Sequence, residues 1–280
     1  MRINRVLSLV LVLAAALPAA ATADGSKFAH LSGNPDLRSA SAIVLDSEGN
    51  IIFGKDVDTV RSIASITKLM TAMVVLDAQL DLDEQLTITS ADRDLIRMTG
   101  SRLAVGATLT RRELLLLALM SSENRAATAL GRTYPGGMDA FVAKMNEKAR
   151  SLGMTSSRFA DPAGLHTENL STASDLARMI AAAKTYPLIT QSTTTLKQEV
   201  RPFSRRGPLN FANTNRLLKN ADWDIELSKT GYIHEAGRCL VMRANIEGEE
   251  ISIVLLNSFG KLTPYGDSNR LRKWMLASSG

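Results

Sequence analysis

The chain has 280 residues, of which 45% are hydrophobic and 22% are charged. This composition allows one large buried core or two small ones, and it excludes a disordered acidic or basic chain. The formal net charge is +5, but no basic run with interleaved aromatic residues occurs, so binding to nucleic acid is not indicated. Cys239 is the single cysteine and lies in an apolar stretch, which predicts buried packing without an internal disulfide.

The first 23 residues have the layout of a secretory signal peptide. Arg2 and Arg5 supply a positive start, residues 6–17 form an apolar run, and a small-x-small cleavage pattern ends at Ala23. A membrane anchor is the alternative, but this run is shorter than the roughly 20 apolar residues that span a bilayer. Cleavage after Ala23 predicts a periplasmic protein with one domain, residues 24–280, and no stable membrane anchor.

Strand patterns occur near both ends of this domain, and helical patterns lie between them. The predicted strands are 42–45, 51–53, 225–232, 238–246 and 251–257. The predicted helices are 66–80, a leucine-rich helix after a capping box at Thr110–Glu113, 138–152, 174–186 and 267–277. The polar stretch 190–222 receives no element. These patterns predict an α+β fold in which an antiparallel sheet, built from both chain ends and flanked by helices, carries an inserted helical lobe.

Three short motifs follow one another along the chain: Ser65–Lys68 (Ser-x-x-Lys), Ser122–Asn124 (Ser-x-Asn) and Lys229–Gly231 (Lys-Thr-Gly). The first two are individually unspecific, since Ser258–Lys261 and Ser32–Asn34 match them as well. Sequence context separates the copies, because Ser65 begins a predicted buried helix whereas Ser258 follows a strand. Only the set that begins at Ser65 has the right order and setting.

Ser65 and Lys68 fit a nucleophile and its base. They are three residues apart on a helix and therefore share a face. A serine hydroxyl attacks only when another group takes its proton, and Lys68 can do so only when neutral. An ordinary lysine is neutral in about one of several thousand molecules at pH 7. Burial, the helix N-terminus and a second cation, for which Lys229 is the candidate, could lower its pKa.

The other motif residues fit proton transfer and substrate binding. Ser122 can relay a proton between Lys68 and a leaving amine, and Asn124 can hold Lys68 and the substrate backbone. The remaining candidates lie on a predicted strand edge, where an extended peptide could pair with the strand. Lys229 and Thr230 can bind a carboxylate or carbonyl there, Gly231 leaves room for close approach, and the backbone N–H groups of Ser65 and Tyr232 can form an oxyanion hole.

Each candidate also has a purely structural interpretation. Ser65 could be only a helix N-cap and Lys68 a solvated first-turn residue. Ser122 and Asn124 could mark a helix boundary, and Lys229–Gly231 could be an ordinary strand end. The combination of all three motifs with an export signal favours function. His166 and His234 are isolated, so neither a metal nor another cofactor is predicted.

The motifs and their flanks, residues 119–127, 159–165, 171–175 and 229–242, resemble the low-molecular-mass penicillin-binding proteins, the D-alanyl-D-alanine peptidases. The resemblance implies a β-lactamase/transpeptidase-like fold and an acyl-enzyme on Ser65. It also implies peptidoglycan stem peptides as substrates and β-lactams as covalent inhibitors. The flank of the third motif is similar to the endopeptidase branch, which cleaves peptide cross-links.

Three alternatives to an endopeptidase stay open. Carboxypeptidases of this family often carry a second β domain and an amphipathic anchor after the catalytic domain, and neither is recognisable here, which favours the endopeptidase branch. A class A β-lactamase would need a loop glutamate in a Glu-x-x-x-Asn setting, but Glu168 is followed at once by Asn169 and then by Thr172 at the fourth position. A non-catalytic wall-binding protein would not need Ser65 and Lys68.

Overall fold

A computed structural model describes residues 26–278, and the predicted signal segment 1–23 lies outside the described residues. The strands are β1 Ser41–Leu45, β2 Ile51–Lys55, β3 Arg61–Ser62, β4 Gln85–Thr87, β5 Thr108–Thr110, β6 Leu170–Ser171, β7 Lys197–Val200, β8 Leu209–Ala212, β9 Asp224–Ile233, β10 Gly237–Ile246 and β11 Glu249–Ser258. The helices are α1 Thr67–Asp77, α2 Arg111–Met120, α3 Asn124–Arg132, α4 Gly137–Ser151, α5 Ala173–Ala183, α6 Pro187–Thr194 and α7 Thr263–Ser278. Short 3₁₀ turns cover Ala64–Ile66, Ser90–Asp92 and Arg216–Lys219.

Both ends of the described chain build one five-stranded antiparallel sheet in the order β2-β1-β11-β10-β9. Val254 of β11 is paired with Ile43 of β1 on one side and with Val241 of β10 on the other. The predicted α+β arrangement, with strands first and last and helices between, is therefore confirmed. β9, which carries the third motif, is the edge strand of this sheet.

Both faces of the sheet are covered, which explains why its later strands are almost continuously apolar. Cys239 and Val241 of β10 pack with the helical lobe. Leu240 and Met242, which point to the other face, pack with Leu271 of α7. Burial raises the pKa of the Cys239 thiol to about 11, so this cysteine is buried and non-nucleophilic.

α1 runs through the centre of the helical lobe. Residues 67–75 are all buried, including the charged Lys68, as the unbroken apolar pattern predicts. The capping box at the start of α2 is also confirmed, since Thr110 and Glu113 each accept a hydrogen bond from the other's backbone N–H. Within residues 26–278, no helix combines the length and apolarity that crossing a membrane requires.

The stretch 190–222 is more ordered than its polar composition indicates. It holds the end of α6, the β7–β8 hairpin and the 3₁₀ turn Arg216–Lys219. The sequence pattern does not predict α6, because a proline after the predicted helix 174–186 is typical of a helix end, whereas Pro187 occupies the first turn of a new helix. α3 was missed because only three residues separate it from α2.

Candidate active site

Ser65 lies in the middle of the 3₁₀ turn that leads into α1. Ala64, just before it, has a φ of +48°, a conformation that costs free energy in a residue with a side chain. Within the described chain, no side chain caps the N-terminus of α1. Ser65 is therefore not an N-cap; its Oγ instead accepts a hydrogen bond of 2.9 Å from Lys68 Nζ.

Lys68 is fully buried, and its ammonium group has three hydrogen-bond acceptors. Nζ lies 2.9 Å from Ser65 Oγ, 2.8 Å from Asn124 Oδ1 and 2.6 Å from the carbonyl oxygen of Ala163. When Lys68 loses a proton, two N–H groups remain. The amide and carbonyl oxygens can only accept, so the lone pair of neutral Lys68 must face the Ser65 hydroxyl. The geometry therefore directs the basic lone pair at the nucleophile.

Burial lowers the pKa of Lys68 to about 8, while the carboxylates of Asp161, Glu123 and Asp94 act in the opposite direction. About one molecule in ten is then neutral at pH 7. The pKa of Lys229 is also lowered well below its usual value, by burial and by the charge of Lys68. Repulsion between two ammonium groups is mutual, so each favours the neutral form of the other. Burial is the largest cause of the shift of Lys68.

Asn124, the first residue of α3, is held in one orientation by a residue that the motif analysis did not identify. Thr99 Oγ1 donates to the Asp94 carboxylate over 2.7 Å and accepts from Asn124 Nδ2 over 2.9 Å. The Thr99 proton is committed to a carboxylate, which cannot donate, so Asn124 must present its Nδ2 to Thr99 and its Oδ1 to Lys68. A chain of hydrogen bonds thus runs from Asp94 to Ser65.

The loop that begins at Asp161 supplies the third acceptor of Lys68. Asp161 Oδ1 accepts from the N–H groups of Ala163 and Gly164, and Oδ2 accepts from those of Leu165 and His166. These bonds fold the loop into a tight turn around the carboxylate. The turn directs the Ala163 carbonyl at Lys68.

Ser122 lies in the turn between α2 and α3 with a φ of +60°, a position that glycine usually occupies at a helix end. The Glu123 N–H donates to the Leu117 carbonyl and closes this turn. Ser122 Oγ accepts a hydrogen bond of 3.0 Å from Lys229 Nζ, and within residues 26–278 this is its only hydrogen-bond partner. Ser122 therefore bonds Lys229 in this structure, and the predicted relay between Lys68 and a leaving amine stays a prediction.

Lys229 and Thr230 lie on the edge strand β9. Lys229 is buried, and Nζ also donates to the Thr230 carbonyl over 2.9 Å. Thr230 Oγ1 donates to Thr214 Oγ1 over 2.7 Å. Tyr232, further along β9, is half exposed, and the Arg238 guanidinium lies 3.6 Å from its ring centroid. The third motif thus presents polar groups along a free strand edge.

Gly231 packs against the turn that carries Ser65. A Cβ on Gly231 would lie 2.9 Å from the Ile63 carbonyl oxygen and 3.3 Å from the Ala64 Cβ. The missing side chain therefore makes room for the turn that carries Ser65. Close approach of a substrate at Gly231 stays a prediction.

Two pockets meet at Ser65. The larger, of about 530 Å³, runs beside β9 and is lined by Ser65, Ser122, Asn124 and Thr230, together with residues of the 213–219 and 261–265 segments. The smaller, of about 220 Å³, shares Ser65 and Asn124 but contains Arg97 and His234 instead of Ser122. The nucleophile therefore lies within a cleft that extends to both sides, as cleavage in the middle of a longer molecule requires.

The loop glutamate does not support the class A β-lactamase alternative. Glu168 is exposed and 3.8 Å from Arg158, so this loop glutamate takes part in a surface ion pair, whereas Asn169 is buried and donates to Asp161. Within the described chain, no cluster of three or more His, Cys, Asp or Glu residues could hold a metal ion.

The comparison with known proteins agrees with this geometry. Residues 29–260 match the family described as D-alanyl-D-alanine carboxypeptidase. A D-alanyl-D-alanine endopeptidase of Pseudomonas aeruginosa is 47% identical over 274 residues, which cover 97% of this chain and 88% of that protein. A D-alanyl-D-alanine endopeptidase of Escherichia coli is 45% identical over 270 residues, which cover 96% of this chain and 86% of that protein.

Solved structures share the fold. The crystal structure of the Streptomyces K15 DD-transpeptidase superposes with a TM-score of 0.80 at 27% identity, covering 88% of this chain and 100% of that one. The crystal structure of a D-alanyl-D-alanine carboxypeptidase of Mycobacterium tuberculosis superposes with a TM-score of 0.79 at 30% identity. The match covers 89% of this chain and 95% of that one. Together with the sequence match over residues 29–260, these likenesses show that the chain belongs to the D-alanyl-D-alanine carboxypeptidase family of peptidases.

Proposed function

We propose that this protein is a serine D-alanyl-D-alanine endopeptidase that cleaves peptide cross-links of peptidoglycan through an acyl-enzyme on Ser65. One observation carries the proposal: buried Lys68 bonds the Ser65 hydroxyl, and no other acceptor of Lys68 could donate to its neutral amine. An N-cap serine or a solvated first-turn lysine would not produce this arrangement.

In the first step, Ser65 Oγ attacks the D-alanine carbonyl carbon while its proton passes to neutral Lys68. The backbone N–H groups of Ser65 and Tyr232 stabilise the oxyanion. Asn124 holds Lys68 and contacts the substrate backbone. Thr230 and the edge of β9 align the substrate as an added strand.

In the second step, the C–N bond breaks and the leaving nitrogen takes the Ser122 proton. Lys229, whose Nζ donates to Ser122 Oγ over 3.0 Å, replaces that proton. A depressed pKa suits Lys229 to this transfer. Because Lys68 has gained one proton and Lys229 has lost one, the charge of the site is unchanged. Water then attacks the ester carbonyl and gives up a proton to Lys229 through Ser122, while Lys68 returns its proton to Ser65 Oγ. This step releases the acyl group as a carboxylic acid and restores both lysines to their starting charge.

The endopeptidase assignment rests on the relatives and on the shape of the cleft. The relatives at 47% and 45% identity are endopeptidases, whereas carboxypeptidases of Bacillus subtilis and Mycobacterium tuberculosis are 31% and 33% identical. The larger pocket, of about 530 Å³ and lined by Ser122, also has room for more than one amino acid. Carboxypeptidase activity is the second candidate, because both reactions use the same acyl-enzyme.

The predicted signal peptide places this activity in the periplasm. Cleavage after Ala23 would leave residues 24–280 as the peptidase domain, with β-lactams as covalent inhibitors of Ser65. N-terminal sequencing of the protein recovered from a producing bacterium tests this assignment. A mature N-terminus at Asp24 is the expected result, and a retained Met1 would contradict it.

The test of the proposed function uses two substrates with the purified protein: a cross-linked muropeptide dimer and a monomer that ends in D-Ala-D-Ala. Chromatography with mass detection should show conversion of the dimer to monomers by wild type and none by Ser65→Ala. Release of D-alanine alone, with the dimer intact, would instead assign a carboxypeptidase.

A further inference from the structure

Four cations line the larger part of the cleft without a carboxylate among them: Arg216, Lys219, Arg238 and Lys261. None of the four forms an ion pair with any residue of the described range 26–278. Unpaired like charges in one cleft repel each other and raise the local concentration of anions. A cleft of this kind is built to receive a negatively charged ligand.

Arg216 and Lys219 are placed as a pair by the 3₁₀ turn that they delimit. Side chains three residues apart on a 3₁₀ turn are eclipsed and share a face. Leu217 is buried, which fixes the rotation of the turn. Asn215 caps it by accepting the Leu217 N–H over 3.0 Å, and the Asn215 N–H donates to Asn213 Oδ1 over 2.9 Å. The burial of Leu217 and the hydrogen bonds of Asn215 therefore fix the backbone that carries Arg216 and Lys219.

The position of Ser122 indicates which part of a substrate meets these cations. Ser122, the proposed proton donor to the leaving nitrogen, lines the larger pocket and an adjoining pocket beside Phe211, whereas the smaller pocket has no contribution from it. The leaving group must therefore occupy the larger, cationic side. This step rests on the proposed function.

A single D-alanine leaving group carries one carboxylate, which Thr230 and one neighbouring cation can bind. The remaining cations would stay unpaired in such a complex. A leaving stem peptide carries additional carboxylates further from the cleaved bond. We propose that Arg216 and Lys219 bind a second carboxylate of the leaving strand, so that the preferred leaving group is a peptide with two or more carboxylates.

The test compares wild type with the double variant Arg216→Gln/Lys219→Gln. A second double variant, Arg205→Gln/Arg206→Gln, is the control, because it removes the same charge from exposed residues that do not line the cleft. Three substrates are used: the muropeptide dimer, the same dimer with the carboxylates of its leaving strand amidated, and the D-Ala-D-Ala monomer.

The Arg216/Lys219 variant should lose roughly tenfold in kcat/KM on the dimer, the effect of one or two exposed charge pairs. Its D-alanine release from the monomer should stay within roughly twofold of wild type. Amidation of the dimer should lower the kcat/KM of wild type by a similar factor. It should leave the kcat/KM of the variant almost unchanged, because the variant no longer binds the second carboxylate. The control variant should match wild type on all three substrates.

Equal losses on dimer and monomer would overturn the inference, because the pair would then act on the site in general. An unchanged rate on the dimer, or equal sensitivity to amidation in both proteins, would overturn it as well. Labelled penicillin separates this failure from failure of the proposed function. A wild type that acylates on Ser65 and cleaves the dimer, with an Arg216/Lys219 variant as fast as wild type on it, contradicts only the leaving-group inference. A wild type that cleaves only the monomer, or that never acylates, contradicts the proposed function.

Discussion

A Cβ atom on Gly164 would lie 2.0 Å from the Ala64 carbonyl oxygen, so the Asp161 loop can pack on the nucleophile turn only because residue 164 lacks a side chain. The neighbouring residue in each segment takes part in the proposed chemistry. Ala163 accepts a hydrogen bond from Lys68, and Ser65 is the proposed nucleophile. The packing of these two backbones therefore sets the distance between base and nucleophile.

The first prediction concerns Gly164→Ala. The new methyl group must push the Ser65 turn away from Lys68, so we expect acylation by penicillin to slow by roughly a hundredfold, the loss that a misplacement of about 1 Å can cause. Gly153→Ala is the matched control. Gly153 also has positive φ, but a Cβ there would meet nothing closer than 3.9 Å.

The control should lose about 1 kcal/mol of unfolding free energy from backbone strain and keep its acylation rate. Stopped-flow acylation and thermal unfolding distinguish the two effects. Equal acylation rates for both variants would show that the Ala64 contact does not position Ser65.

Sequence alone predicted the sheet and the motif residues for different reasons. Long apolar runs, such as those of β9, β10 and β11, identify buried strands without knowledge of their partners. The three motifs predicted Ser65, Lys68, Ser122, Asn124 and Lys229, and the fold places these side chains around one cleft.

The supporting residues could not be predicted in this way. Thr99 and Asp94 lie in an irregular segment without periodicity, and their contact with Asn124 depends on how the chain folds back. Asp161 had a weak local signal, since a carboxylate before Pro-Ala-Gly is typical of a side chain that caps a turn. In the polar stretch 190–222, residues 213, 214, 216 and 219 line the larger pocket. Polar residues that line a cleft do not produce an apolar periodicity.

The second prediction concerns Thr99 as a positioning residue. Thr99→Val keeps the shape but leaves Asn124 Nδ2 without its acceptor, so Asn124 can turn its amide away from Lys68. We expect a roughly tenfold loss of acylation rate, the effect of one hydrogen bond. Thr99→Ser should restore the rate while the melting temperatures stay similar. Failure of serine to rescue would indicate that the threonine acts by packing.

The third prediction separates the backbone and hydroxyl roles of Ser122. Ser122→Gly and Ser122→Ala both remove the proposed proton donor, so each should slow dimer cleavage by at least about a hundredfold. Residue 122 has positive φ, which glycine adopts with less strain than alanine. The free energy of unfolding of the glycine variant should therefore be about 1 kcal/mol larger than that of the alanine variant. Denaturant unfolding measures this difference. Near-wild-type turnover in either variant would contradict the role of the hydroxyl.

The fourth prediction is a pH dependence with a stated sign. Lys68 must be neutral to accept the Ser65 proton, and its pKa is lowered to about 8. The acylation rate should therefore rise with pH as Lys68 loses its proton and fall with pH as Lys229, the proposed proton source for Ser122, loses its own. Glu123→Gln removes a negative charge that raises the pKa of Lys68, so the midpoint should move to lower pH.

Glu168→Gln is the control for this shift. It removes the same charge from an exposed side chain that does not influence the pKa of Lys68. Its pH profile should coincide with that of wild type. A Glu123→Gln midpoint that stays in place or moves to higher pH would contradict Lys68 as the base.

The central claim is that Ser65 forms the acyl-enzyme, and the mass of the protein after reaction with labelled penicillin tests it most directly. Wild type and Ser65→Ala are incubated with the label, denatured, weighed and digested to locate the modified peptide. We predict one stable adduct on wild type, on the peptide that contains Ser65, and none on Ser65→Ala. An adduct on another residue, an equal adduct on both proteins or no adduct on wild type would contradict the account.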